Sequence, residues 1–324
     1  MRTRRFGRTG WQVSEIGYGM WGMGGWTGSD DAESLASLDR AIELGCTFFD
    51  TAWVYGQGRS EKLLGQTLRS HPAQLDKLTV ATKIPPKNMR WPALAGYPVN
   101  ETYPPDHIRE YTEKSLENLG VDVIDLQQFH VWSDTWAEDE GWKRAIDDLR
   151  TSGLVRSVGI SVNRREATNV VRALATGLID SVQVVYNIFD QAPVDELFPY
   201  CQAHDIAVIA RVPFDEGSLT GTLTPDSQWP EGDYRNLYFT PDNLKQTLAR
   251  VERLEPLVPD GMDLPELALR FILEHPAVST VIPGMRRTRN VDRNLAVSDG
   301  EALSPRLKEA LRLHRWDRAP SLSP

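Results

Sequence analysis

Short apolar runs, each followed by a helix-patterned segment, recur along nearly the whole chain, and this alternation restricts the fold more than any single motif. The runs are Ile16–Tyr18, Thr47–Phe49, Thr79–Thr82, Val123–Phe129, Ser157–Ile160, Ser181–Val185, Ile206–Ala210 and Val278–Ile282. Each has strand length and little polar alternation, the pattern of strands covered on both faces in a parallel sheet. The helix-patterned segments lie between them. Ser29–Glu33 opens one with acidic residues, Leu35, Leu38 and Ile42 continue it, and Gly45 closes it. Others run over Ser60–Leu68, Pro105–Leu119, Glu138–Arg150, Arg164–Ala175, Asp195–His204 and Leu264–Glu274. About eight strands alternating with helices is the unit count of an α/β (β/α)8 TIM barrel. An open doubly wound sheet is the rival, but no Gly-x-Gly-x-x-Gly follows the first strand. The segment Arg2–Glu15 alternates around Arg8-Thr9-Gly10, which predicts a short N-terminal hairpin. No compositional break marks a linker, so residues 1–324 are expected to form one domain.

Composition narrows the function classes. The chain has 324 residues, 40% hydrophobic and 25% charged, enough for a large core without disulfides. Cys46 and Cys201 lie in apolar segments and suit a reducing compartment. The basic start Met1–Arg5 is followed by no apolar signal core, and no run approaches the ~20 residues of a membrane span. A formal charge of -9 argues against nucleic acid as a partner. The expectation is a cytoplasmic protein without membrane or nucleic-acid partners. Oligomeric state is not readable.

Asp50, Lys83 and His130 each end one of three successive strand runs, and Tyr55 follows just beyond the first. A carboxylate, an ammonium, an imidazole and a phenol thus collect on one rim of the predicted barrel, the rim that carries active sites in this architecture. A phenol has a reference pKa of about 10; an adjacent ammonium lowers it, and a carboxylate fixes the ammonium. Tyr55 could then give its proton to a substrate oxygen, with His130 as a second donor. Taken singly, each residue has a plainer reading: Asp50 with Lys83 as a buried ion pair, Tyr55 as a rim residue, His130 as a core imidazole. Their joint placement argues for chemistry. The remaining histidines lack metal-ligand spacing, so no metal is expected.

The string Phe49-Asp50-Thr51-Ala52-Trp53-Val54-Tyr55-Gly56, continuing to Ser60-Glu61-Lys62-Leu63-Leu64-Gly65, resembles the signature of the aldo-keto reductase superfamily. The resemblance extends from Phe6 to Asn294. It implies a barrel that reduces aldehydes or ketones with NADPH, with Tyr55 as acid, Lys83 and Asp50 as its tuning pair and His130 as orienting donor. It also implies cofactor contacts: Gly19, Met20 and Trp21 behind the first strand, Ser161 and Asn163 behind the fifth, and Gln183 on the sixth, the last three serving the nicotinamide carboxamide. Without it, Ser161 and Asn163 read equally well as caps of a helix opening at Arg164. Arg211 stands where many members stack an aromatic on the nicotinamide, followed by Pro213 and Phe214. The segment through Gly217, Ser218 and Leu219 resembles a pyrophosphate-covering belt. Ile282, Gly284, Arg286, Asn290 and Asn294 follow the eighth strand, where Arg286 and Arg287 before a helix start suit the 2′-phosphate of NADPH/NADP+.

Three long connections, Ile84–Pro104, Val131–Ala137 and Phe214–Thr240, are rich in aromatics. Trp21, Trp53, Trp91 and Trp132 are the expected substrate contacts. With Asp134, Asp215 and Glu216 as hydroxyl acceptors, a sugar or polyol fits, and an aromatic aldehyde fits equally. Two further readings stand beside a reductase of a small carbonyl compound. One is a nicotinamide-binding sensor related to potassium channel beta subunits; the other is a lyase using Lys83 as a Schiff base, disfavoured by the pairing with Asp50.

Overall fold

In the computed structural model of the chain, which describes residues 1–25 and 28–318, two antiparallel strands precede eight parallel ones. The hairpin strands are β1 (Thr3–Arg5) and β2 (Gln12–Ser14). The parallel strands are β3 (Tyr18–Gly19), β4 (Phe48–Asp50), β5 (Thr79–Ile84), β6 (Ile124–Phe129), β7 (Val155–Ser161), β8 (Ser181–Val185), β9 (Ala207–Arg211) and β10 (Val278–Val281). They pair in sequence order, and two parallel bridges, Ile16 to Val281 and Gly19 to Gly284, join the last strand to the first. The (β/α)8 barrel expected from the alternation is therefore the fold. At this seam the backbones touch: a Cβ on Gly19 would lie 2.5 Å from the Ile282 carbonyl oxygen, so only glycine fits.

The hairpin closes the N-terminal end. Phe6 and Val13 are fully buried against Phe48, Ala81, Leu126, Ala207, Ile209 and Ile282, the inward side chains of the barrel floor. Asp180 fastens it from below, accepting Arg8 Nε at 3.0 Å, Arg150 Nη2 at 2.6 Å and Ser157 Oγ at 2.7 Å.

Helices cover the outside where the apolar periodicity placed them: Asp31–Glu43, Arg59–Ser70, Pro105–Leu119, Glu140–Thr151, Leu197–Ala203 and Leu264–Leu273. The expected helix over Arg164–Ala175 is shorter, Val171–Ala175, and turns occupy the rest. Its start is capped instead by Asp134, whose carboxylate accepts the N–H groups of Arg172 and Ala173. Helices at Pro241–Leu254, Thr288–Ala296 and Pro305–Arg312 complete the wall. Among the described residues no helix is long and apolar enough to cross a membrane.

Candidate active site

Strand periodicity decides what faces the barrel interior. On β4, β5 and β6 the inward positions run Phe48 and Asp50, then Ala81 and Lys83, then Leu126 and Gln128, with His130 one step beyond. Apolar side chains fill the floor and polar ones occupy the C-terminal layer. Lys83 and Asp50 are buried there, their side chains 0% and 3% exposed. Lys83 Nζ donates to Asp50 Oδ1 at 2.5 Å and to the Thr51 carbonyl at 2.7 Å, and lies 3.5 Å from Tyr55 Oη. The Tyr55 and His130 rings meet edge-on with centroids 5.8 Å apart. The four residues picked out by strand ends thus form one cluster.

Two glutamines complete it. Asp50 Oδ2 accepts Gln183 Nε2 at 2.7 Å and Gln128 Nε2 at 3.1 Å, so both carboxylate oxygens are held. Gln128 escaped the sequence reading, although counting back by two from His130 along β6 points to it. Gln183, expected to serve a carboxamide, directs its amide nitrogen at Asp50 and at the Gln128 side-chain oxygen.

Burial pushes the Tyr55 phenol above its ordinary value, and the Lys83 charge offsets only part of that. The direction corrects the simple expectation of a lowered phenol: at neutral pH Tyr55 is protonated and able to donate. Burial, with the charges of Lys83 and Arg211, holds His130 well below the usual imidazole range. His130 is therefore a neutral donor or acceptor, and Trp91 packs edge-on against it at 4.7 Å.

The cofactor residues divide into those open to a ligand and those already engaged. Asn163 is 6% exposed; its Nδ2 donates to the Ala93 carbonyl and to Glu166, while its buried Oδ1 has no hydrogen-bond partner. An orphaned carbonyl oxygen beside buried Ser161 suits the NH2 of a carboxamide. No helix begins at Arg164, so the cap reading of these two residues falls. Arg211 ends β9, donates to the Val162 carbonyl at 3.0 Å, and has an unpartnered buried Nε. Arg164, which sequence reading passed over, pairs with Glu216 at 2.9 Å.

Behind β10, Arg286 and Arg287 lead into the helix Thr288–Ala296, with Asn290 and Asn294 on its first turns. Burial and the neighbouring Arg287 charge lower the Arg286 guanidinium. Glu33 pairs with Arg287 at 3.7 Å, and the two guanidinium groups stand beside a helix start, a setting suited to an anion. Gly19 and Gly284 share the barrel seam, Met20 donates its N–H to the Asp50 carbonyl, and Trp21 is 40% exposed above them.

Several expectations need correction. Trp132 is fully enclosed by Phe129, Trp136 and Trp142 and presents no surface to a substrate. The indole turns down into the helix layer, against Trp136 and Trp142. Trp53, by contrast, is half-buried, and its edge-on contact with Tyr111 of the outer helix at 4.7 Å does not close it to a substrate. The Ser218 hydroxyl donates to Asp215 at 2.7 Å, and the Leu219 side chain is enclosed, so neither side chain faces an anion. The three proposed hydroxyl acceptors are all engaged: Asp134 caps a helix, Asp215 binds Arg318, and Glu216 binds Arg164. Trp91 and Trp21 remain as aromatic edges of the mouth. Among the described residues no cluster suited to a metal ion occurs.

Comparison with known proteins agrees with this geometry. The family model described as "Aldo/keto reductase family" matches residues 15–307. Aldo-keto reductase YhdN of Bacillus subtilis is 30% identical over 86% of this chain and 83% of its own length. An NADH-specific methylglyoxal reductase of Escherichia coli is 28% identical, covering 96% of this chain and 99% of its own. Among solved structures, the glycerol dehydrogenase AKR11B4 of Gluconobacter oxydans superposes with a TM-score of 0.78 at 28% identity, covering 95% of this chain and 93% of that one.

Proposed function

This chain belongs to the aldo/keto reductase family, and from that premise we propose that it reduces a small aldehyde or ketone to the alcohol with NADPH, Tyr55 supplying the proton. The observation that carries the proposal is the position of Lys83 Nζ, which touches Asp50, the Thr51 carbonyl and the Tyr55 hydroxyl at once. A bound nicotinamide supplies the hydride that the carbonyl carbon receives. Every other part falls to the protein. Tyr55 donates its proton to the carbonyl oxygen, and the Lys83 charge stabilises the phenolate left behind. Asp50 holds Lys83 in line as its counter-charge. The neutral His130 ring offers a second hydrogen bond to the same oxygen and fixes which way the carbonyl lies. Run backwards, Tyr55 takes the proton of an alcohol.

Asn163 and Ser161 would hold the carboxamide, and Arg286 with the following helix start would hold the adenosine 2′-phosphate. The fit rests on the orphaned Asn163 oxygen and on the two guanidinium groups, Arg286 and Arg287, that lead into the helix start. Methylglyoxal and glycerol, in the names of two relatives, are small and polar, and a mouth edged by Trp91 and Trp21 is suited to a compact carbonyl. The test is loss of NADPH absorbance with a panel of aldehydes, ketones and sugars, run beside Tyr55→Phe. Turnover that disappears in the variant supports the reading. Undiminished turnover in Tyr55→Phe sinks the mechanism, and tight NADPH binding without turnover on any carbonyl favours the sensor.

A further inference from the structure

Asn163 is held by its amide nitrogen, and the way it is held decides what its oxygen can do. Nδ2 donates to the Ala93 carbonyl and to Glu166 Oε2, both at 2.8 Å. Turned over about its last torsion, the amide would set Oδ1 against a carbonyl and a carboxylate, two acceptors with no proton to give. The nitrogen therefore keeps that side, and the buried Oδ1 is left at the other end without a partner. A carboxylate on Nδ2 also polarises the amide and makes Oδ1 the stronger acceptor. One end of this side chain is satisfied twice and the other is left for a donor.

Glu166 reaches Asn163 through a backbone that side chains disfavour. Arg165, between them, has φ of 66°, and the Glu166 N–H returns to the Asn163 carbonyl at 3.3 Å. This tight turn brings the carboxylate back onto the amide. The same Oε2 accepts Asn169 Nδ2 at 2.8 Å. Asn169 is pinned in turn, donating to the Trp132 carbonyl at 3.2 Å and accepting the Asp134 N–H at 2.8 Å. Two amides thus converge on one carboxylate oxygen, in a network that joins the connections behind β5, β6 and β7. Glu166 itself is exposed, so its contribution lies in these bonds and not in the core.

We propose that Glu166 is a positioning residue for the nicotinamide: by holding Asn163 Nδ2 it presents Oδ1 to the NH2 of the carboxamide and so fixes the rotation of the ring. It acts through Asn163 and touches no reacting atom. The inference rests on the nicotinamide reading above and adds to it the residue that orients the anchor.

The experiment is calorimetric titration of the full chain with NADPH and with 2′-phospho-ADP-ribose, which lacks only the nicotinamide. Glu166→Ala should weaken NADPH about tenfold and leave the truncated ligand within twofold. Glu166→Gln keeps an acceptor oxygen and should recover most of that loss. In an Asn163→Ala background, Glu166→Ala should cost little more, since both remove one contact. For NADH the matching pair is NADH and ADP-ribose. Unchanged NADPH affinity in Glu166→Ala overturns the proposal. So does equal weakening of both ligands, the mark of a segment that has merely loosened or failed to fold. If Asn163→Ala weakens NADPH while Glu166→Ala does not, the carboxamide reading stands and only the role of Glu166 falls. A parent-like NADPH affinity in Asn163→Ala, or a parent chain that binds neither dinucleotide, overturns that reading and the role of Glu166 with it.

Discussion

The C-terminal rim has two arcs built on different principles. From β4 to β6, the polar groups of the cluster are side chains on the strands themselves or within a few residues of them, and Lys83, Asp50 and Gln128 form a buried lattice that Gln183 reaches from β8. From β7 to β10, Ser161 and Arg211 end their strands, and the connections beyond are tied by ion pairs that span long stretches of chain, such as Arg164 to Glu216 and Arg318 to Asp215. Rigid strand ends suit bond-making, which needs fixed geometry. Connections at the mouth suit the holding of a ligand that has to enter and leave. Under the proposed function, the difference assigns bond-making and cofactor holding to separate arcs of one ring.

The largest effect should come from the first arc. Tyr55→Phe should lower kcat by about a thousandfold while leaving NADPH affinity within twofold, because general acid catalysis contributes on the order of 10²–10⁴. A comparable loss of affinity would break the separation between the arcs. The same residue sets a pH expectation. Its phenol lies above the ordinary value, and the protonated form is the acid, so reduction should hold through neutral pH and decline only above about pH 10. A pH–rate profile declining near neutrality would contradict it.

Asp50→Leu tests whether the first arc is also a structural keystone. It leaves the Lys83 ammonium buried without its counter-charge, which should lower unfolding stability by about 3–5 kcal/mol in urea titration. In the second arc, Arg286→Ala should weaken NADPH binding about tenfold and leave NADH unchanged, as measured by fluorescence titration. Equal weakening of both would place Arg286 elsewhere than on the 2′-phosphate. The smallest effect is expected of Gln128→Leu. Asp50 keeps Gln183 and Lys83 as donors, so turnover should fall by no more than about tenfold and stability by about 1 kcal/mol.

The first arc was legible because its logic is local. A period of two along β4, β5 and β6 places Asp50, Lys83 and His130 inward without any knowledge of neighbours, and the same count reaches Gln128. The barrel itself followed from the alternation of short apolar runs with periodic helices. The second arc resisted for a physical reason. Arg318 and Asp215 stand far apart in the chain, and nothing in either segment announces a partner. Trp132 misled for a related reason: an aromatic in a connection can turn outward to a ligand or inward to the helix layer, and here Trp136 and Trp142 packed around it decide for inward. The helix expected from Arg164 failed because Arg164 is drawn to Glu216 and the helix start moves to the residues capped by Asp134. The rise in the Tyr55 phenol was likewise hidden, since burial depends on the closed barrel and not on the motif.

The hairpin that carries Phe6 and Val13 into the barrel floor turns the protein into a bottle with one neck. Whatever goes in must come out the same way, past whatever entered after it. Under the proposed function, cofactor and carbonyl compound share that one neck, and whichever leaves more slowly sets the pace for the other.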